Sequence, residues 1–448
     1  MSAHVRPRLA PDPQPEVGAR PTHRLKLTLL LWLVYLLLTP LYFRSSGNVQ
    51  IADYALAATL AVHLLSSDSG RQLLVPPQSR RSIQALAAFV LLTVVVNTAW
   101  VGLYGSWGPL TFSSFYFYGF LVVIIVALLV QRFGPRLYAT TRLGVLLALF
   151  FLAGLVLLDQ EQGLRVSGTF NNPNQLGFFA LLGQSVLWVC NTVGQSPRST
   201  RAIRRHLLLE GFGWVATLLI VLASASLGAF VGVSVLLLAN LVVRWRAASW
   251  ITVGVAAALL FGGFTATASG QFESVQDRYD RFEYRTGGTA EGLLAERGYD
   301  RIGSYPHHIL LGAGEGEFNR FGSTGFTGEL HSSPGTLLFS YGVLGLGLFA
   351  LFLSRAVRNA GWRASLPLLP ILIYTLTHNG LRFRLWWVFL GLLVAAPTVL
   401  PRKHRAGPAD DERPAKPDSV TSPSGSRTAM SDAPPTAVAR VRVPDRRR

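Results

Sequence analysis

Apolar runs of about 17–22 residues recur along this chain, each close to the ~20 residues a helix needs to cross ~30 Å of hydrocarbon. A helix of a soluble protein buries one stripe and turns charge toward water. These runs carry almost no ionisable residue; His63 lies near the inner end of the second and Glu210 opens the seventh. Half of the 448 residues are hydrophobic and 14% are charged, against about a quarter in ordinary soluble domains. So few charges cannot cover a water-facing surface, and a bilayer is the solvent this composition requires. The reading is an all-α polytopic membrane protein of about twelve transmembrane helices, over roughly 26–43, 52–66, 83–104, 114–131, 143–158, 177–194, 208–224, 227–243, 250–268, 334–353, 364–378 and 385–400.

The net charge of +18 is almost wholly arginine, since the lysines are Lys26, Lys403 and Lys416. In a soluble protein that balance would suggest nucleic acid. Here the charge falls in short loops and two tails, where it sets orientation, and no nucleic-acid partner is expected. Arg80 and Arg81, Arg132, Arg136 and Arg142, Arg198 to Arg205, Arg244 and Arg246, and Arg355, Arg358 and Arg363 occupy every second connection. Positive-inside bias makes that set cytoplasmic and places both termini inside, in keeping with an even number of spans. Residues 1–24 read as a cytoplasmic tail lacking the apolar core of a cleavable signal. Residues 25–400 form the membrane domain, with a long external loop over 269–333. Residues 401–448 read as a disordered cytoplasmic tail, whose Arg402, Lys403 and Arg405 either touch anionic lipid or only help set topology. Cys190 is the single cysteine, cannot form an internal disulfide, and is read as a packing residue.

The extracytoplasmic face then holds Leu157–Gln175, the 269–333 loop and the His378–Arg384 link, which should converge because their helices form one bundle. Within the long loop, opposite charges three and four residues apart over 276–285 suggest an exposed surface helix. Ion-coupled carriers keep ionisable groups near the bilayer midplane, and these spans lack them. Polar function confined to one face favours an enzyme acting on a lipid-anchored substrate.

His331 lies in Glu329-Leu330-His331-Ser332-Ser333-Pro334-Gly335, directly before an apolar run. Pro334 suits a first helical turn, and Ser332 or Ser333 can cap it. The helix dipole there disfavours a cationic ring, and a neutral imidazole is what a general base requires; a local capping or hydrogen-bonding role is the alternative. Arg297 and Arg301, four residues apart, would share one face if helical, where two guanidinium groups can grip a diphosphate or pair with Glu296 and Asp300. Arg165, Asn172 and Asn174 lie just before the sixth span. Asn174 can cap that span, so its free N–H groups and Arg165 would form a second anion site; equally, the carboxamides could satisfy only the local backbone. Arg382 and His378, in the last external link, could line the same cavity. The glycine run Gly312-Ala313-Gly314-Glu315-Gly316 follows no strand and lacks a nucleotide-loop ending. His307 and His308 are adjacent, with no carboxylate or cysteine at ligand spacing, so no metal and no cofactor are expected.

Together, Gly168-Thr169-Phe170-Asn171-Asn172-Pro173-Asn174, the Arg297 region leading into Gly312-Ala313-Gly314, and His331-Ser332-Ser333 running into Tyr341-Gly342-Val343-Leu344-Gly345 resemble the O-antigen ligase and polymerase family of bacterial membrane glycosyltransferases. The resemblance covers roughly residues 140–400. It implies a multi-pass protein of the bacterial inner (cytoplasmic) membrane that takes a saccharide from undecaprenyl diphosphate. That saccharide passes to a sugar hydroxyl of a glycan or lipid-anchored acceptor at the extracytoplasmic face, without metal or nucleotide. It makes His331 the counterpart of the family's proposed acceptor-activating histidine and Arg297 that of its diphosphate-holding arginine, with Arg301 adjacent. Arg165, Asn172, Asn174 and Arg382 are the further substrate-binding candidates. Many relatives carry an arginine beside serine at the outer turn between the seventh and eighth spans; here Ala223–Gly228 has none. Either Arg165 or Arg382 takes that place, or the donor is held differently, or catalysis has been lost. A polysaccharide exporter or flippase, or a protein O-oligosaccharyltransferase, are the other readings.

Overall fold

A computed structural model describes residues 23–43, 48–66, 74–158, 166–194, 200–244, 280, 283–284, 287–321 and 328–399. Among them the regular structure is entirely helical: α1 (His23–Leu38), α2 (Ile51–Leu65), α3 (Pro77–Tyr104), α4 (Gly108–Phe133), α5 (Pro135–Leu158), α6 (Pro173–Val193), α7 (Thr200–Ser224) and α8 (Leu227–Arg244) come first. After the loop follow α9 (Ala290–Glu296), α10 (Asp300–Ser304), α11 (Ser333–Ala360), α12 (Trp362–Ser365), α13 (Leu368–Thr375) and α14 (Arg384–Ala395). Five of these, α3, α4, α5, α6 and α11, are long and apolar enough to cross a membrane. The spans expected over 26–43, 364–378 and 385–400 contain shorter helices. The first ends at Leu38, the second splits into α12 and α13 around Leu366-Pro367, and the third passes into a 3-10 turn at Ala396–Thr398, where Pro397 stands. The span expected over 250–268, and all but three residues of the charged 276–285 stretch, lie outside the described residues.

Residues without their own lipid-facing stripe occupy the middle. In α6, 94% of its most apolar window is buried, against 28% in α3. This accounts for the polar Gln184, Ser185 and Asn191 in α6, because a helix wrapped by protein can hold side chains that lipid would reject. All twelve residues of α14 are buried as well. This helix packs on α4, α6 and α11. Against α4 the approach is close: a β-carbon at Gly119 would fall 2.2 Å from the Trp387 ring. At its start, Arg384 pairs with Asp53 of α2 through Nε and Nη2, both at 2.7 Å, while Tyr118 donates to the same carboxylate at 2.8 Å. Asp53 is therefore a further ionisable residue inside an expected span, and its partner explains how burial is tolerated.

The bundle has two chemically different ends. At one, Arg132 donates to Ser66 Oγ at 2.9 Å, Arg355 to the Arg81 carbonyl at 2.6 Å, and Arg142 to Asn191 Oδ1 at 3.3 Å. Trp188 donates to the Arg363 carbonyl there, and Ser79 to that of Val394. These bonds gather the connections that carry Arg81, Arg132, Arg142, Arg355 and Arg363 on a single end. The other end holds His331.

Candidate functional site

Four separate connections meet at the His331 end. Before α6, the Val166 N–H donates to the Ala223 carbonyl at 3.1 Å, which ties this loop to the α7–α8 turn. Asn172, not Asn174, caps α6. Its Oδ1 accepts from the Gln175 N–H at 3.0 Å, and Gln175 Oε1 accepts from the Asn171 N–H. The reason is Pro173: a residue before proline is pushed to extended geometry, here φ −156° and ψ 157°, which is what an N-cap needs. Asn174 lies inside the first turn, and its carbonyl accepts from the Tyr374 hydroxyl at 2.9 Å. Arg165 lies outside the described residues.

Tyr374 also stacks on His378, with ring centroids 4.5 Å apart. Gly228, in the turn that lacks an arginine, packs against both rings. Ser333 then joins the link to the start of α11, donating to the His378 carbonyl and accepting from the Gly380 N–H at 2.9 Å. Tyr299 bonds both to Ser332 Oγ and to the Leu376 carbonyl. Ser332 is the α11 N-cap, accepting from the Gly335 N–H at 3.1 Å, with Pro334 in the first turn.

His331 and Arg297 are brought together by main chain. The α9 helix ends in a left-handed glycine, Gly298 at φ 78°, with the Tyr299 N–H returning to the Leu294 carbonyl and the Gly298 N–H to that of Ala295. This closure leaves the Arg297 carbonyl outside the helix, and the His331 N–H donates to it at 3.1 Å. The Arg297 side chain is largely buried and sits 3.7 Å from the Glu296 carboxylate. His331 keeps an exposed edge. The protein around its other side nonetheless disfavours the imidazolium, the Arg297 charge adds to this and Glu296 opposes it, so its pKa lies below the usual histidine value.

Arg301 does not share a face with Arg297, because Gly298 interrupts the helix between them. It is fully buried, donates to the Gly328 carbonyl at 2.9 Å, and lies over the rings of Phe318, Phe321 and Phe339. This places it inside the loop's own core.

Arg382 occupies the centre. Its Nη2 donates to Glu329 Oε1 at 2.7 Å and Glu315 Oε1 at 3.0 Å, while its plane lies over Phe112 and Phe115. Asn379 also donates to Glu329, two residues before His331. Glu315 is 1% exposed and is held by hydroxyls of Tyr116 at 2.8 Å and Tyr341 at 2.9 Å. Its own N–H donates to Asn97 Oδ1. Burial alone would lower the Arg382 pKa, and the two carboxylates more than offset it, so the guanidinium is raised and stays charged. The Nε atoms of Arg297 and Arg382 are buried and find no acceptor among the described residues.

Glu315, Glu329, Tyr116, Tyr341 and Asn97 are the site residues that the sequence reading passed over. One signal was present. Glu315 is an acid between two glycines, a short way ahead of a span, in a chain poor in acids. No protein-family model and no curated protein matches the chain.

Proposed function

We propose that this protein transfers a saccharide from undecaprenyl diphosphate to a sugar hydroxyl on a glycan or lipid-anchored acceptor, at the extracytoplasmic face of a bacterial inner membrane. The observation that carries the reading is the direct main-chain bond between His331 and Arg297, residues 34 apart, at the end of the bundle opposite the arginine-rich connections. In this reading twelve helices span the bilayer, and positive-inside bias puts the arginine-rich end in the cytoplasm.

The chemistry follows from the charges. The donor's glycosidic C–O bond breaks with its electron pair on the diphosphate, and Arg297 stabilises the developing charge. His331 takes the proton of the acceptor hydroxyl, whose oxygen forms the new bond, inverting the anomeric carbon as the family resemblance implies. A base must be neutral before it can accept that proton. Because the His331 pKa is lowered, activity should persist as pH falls below the ordinary histidine value of about 6.5 and fail only below the folded-state pKa. A pH profile of kcat/KM checks this, and an acid limb at or above that value would contradict it.

The direct test is the purified chain in lipid vesicles, supplied with polyprenyl-diphosphate oligosaccharide and an acceptor glycan. Extended glycan and free polyprenyl diphosphate should appear together. Absence of both would end the transferase reading. In a deletion strain, single-repeat surface glycans would identify a polymerase, and accumulated carrier-linked long chains would identify a ligase.

A further inference from the structure

The segment that delivers Glu315 to its buried position has an unusual route. After α10 the chain makes a 3-10 turn at Pro306–His308 and runs through Ile309-Leu310-Leu311-Gly312-Ala313-Gly314, six residues without a charge. Leu310 and Leu311 are 62% and 63% exposed. Two neighbouring leucines left bare on a loop are a poor fit to water.

The backbone explains where they lie. Inside α11, Gly342 leaves helical geometry at φ 67° and ψ −173°. The interruption frees main-chain groups on both sides, and the loop takes them up. The Ala313 N–H donates to the Phe339 carbonyl at 2.8 Å, the Gly314 N–H to the Ser340 carbonyl at 2.9 Å, and the Val343 N–H to the Ile309 carbonyl at 2.8 Å. Within the loop, the Gly312 N–H returns to the His308 carbonyl. Backbones this close leave no room for side chains: a β-carbon at Gly342 would fall 2.2 Å from the Leu310 carbonyl oxygen.

Position along the helix follows from its rise. Gly342 lies nine residues beyond the start of α11, hence roughly 13 Å along a helix long and apolar enough to cross a membrane. The residues next to it, Val343 and Leu344, are 44% and 50% exposed, the surface such a helix turns toward lipid. Irregular chain survives at that level only if its polar groups are satisfied by protein. The bonds above cover the N–H groups of Gly312, Ala313 and Gly314 and the Ile309 carbonyl, and Arg320 donates to the carbonyls of Ala313 and Gly314.

We propose that Ile309–Gly314 is a re-entrant segment, with Leu310 and Leu311 in contact with the acyl chains of the outer leaflet beside Val343 and Leu344. It rests on the membrane crossing of α11 and not on the transferase chemistry. His308, at the segment's entry, is pushed down to about 4 by burial, His307 and Arg320, and a neutral ring suits an apolar boundary.

Spin labelling tests this on the full chain in phosphatidylcholine vesicles. Cys190, the one native thiol, is buried and is removed as C190A. Nitroxides are then placed singly at L310C, L311C, L344C as a lipid-facing reference, and E291C on the exposed surface of α9. Labels at 310 and 311 should give oxygen-to-nickel-chelate accessibility ratios matching L344C and several-fold above E291C. Ratios at both sites matching E291C would overturn the proposal, whether or not the protein transfers glycan. Because 310 and 311 are exposed in the fold, the labels displace no packed neighbour. A second variant, L344D, should leave the bundle's lipid contact weakened at the same patch and lower the ratio at 310; an unchanged ratio there would also count against it.

Discussion

Replacing either His331 or Arg297 by alanine should abolish glycan transfer while leaving the protein folded and inserted. A positioned general base contributes about 10²–10⁴-fold, and loss of one fixed donor to a developing anion costs about 10²–10³-fold, so each variant should fall by at least two orders of magnitude. The geometry makes the experiment clean. The bond joining the two segments runs from the His331 N–H to the Arg297 carbonyl, and both alanine variants retain it. His331 keeps an exposed edge, so its removal opens no cavity in the apolar core. Transfer in reconstituted vesicles, beside a check of membrane insertion, measures the effect. Full activity in both variants would remove the proposed roles.

Glu315→Ala should destabilise the whole site. The carboxylate accepts from two tyrosine hydroxyls and balances Arg382 together with Glu329. Truncation strands both hydroxyls and leaves Arg382 with one partner that is itself 23% exposed. Breaking a buried ion pair from one side costs about 3–5 kcal/mol, because the remaining charge stays desolvated. Glu315→Gln keeps an acceptor for the tyrosines and should cost less. Unfolding in detergent, followed by tryptophan fluorescence, would rank the variants. Were Glu315→Ala as stable as the parent chain, this network would be no anchor. A large loss would confirm that the position of Arg382, and through Glu329 that of the segment leading to His331, depends on one buried acid.

How much of this site could be seen in advance differs residue by residue. The helix opening after His331 was legible because its signals are local: a capping serine, Pro334 in the first turn, then an apolar run. The proline after Asn172 is equally local, and the restriction that Pro173 places on its predecessor puts the cap at Asn172 and not at Asn174. A four-residue spacing suggested that Arg297 and Arg301 act together. A glycine between them takes a left-handed turn, and their side chains part, one beside His331 and the other into an aromatic box. The Asp53–Arg384 pair joins residues 331 apart, and neither residue carries a local mark of its partner.

The sequence alone determined the kind of solvent this chain needs and its helical character, because apolar run length and scarcity of charge act through every residue and require no knowledge of neighbours. It also determined that His331 stands before a helix. Tertiary structure decided which charges meet. Arg382 joins Glu315 and Glu329, the Arg297 carbonyl joins His331, and a loop fills the gap at Gly342. Those pairings arise where segments far apart in the chain pack at one end of a bundle. Desolvation there makes an unpaired charge costly, so each buried group is held by whichever partner the packing brings within reach.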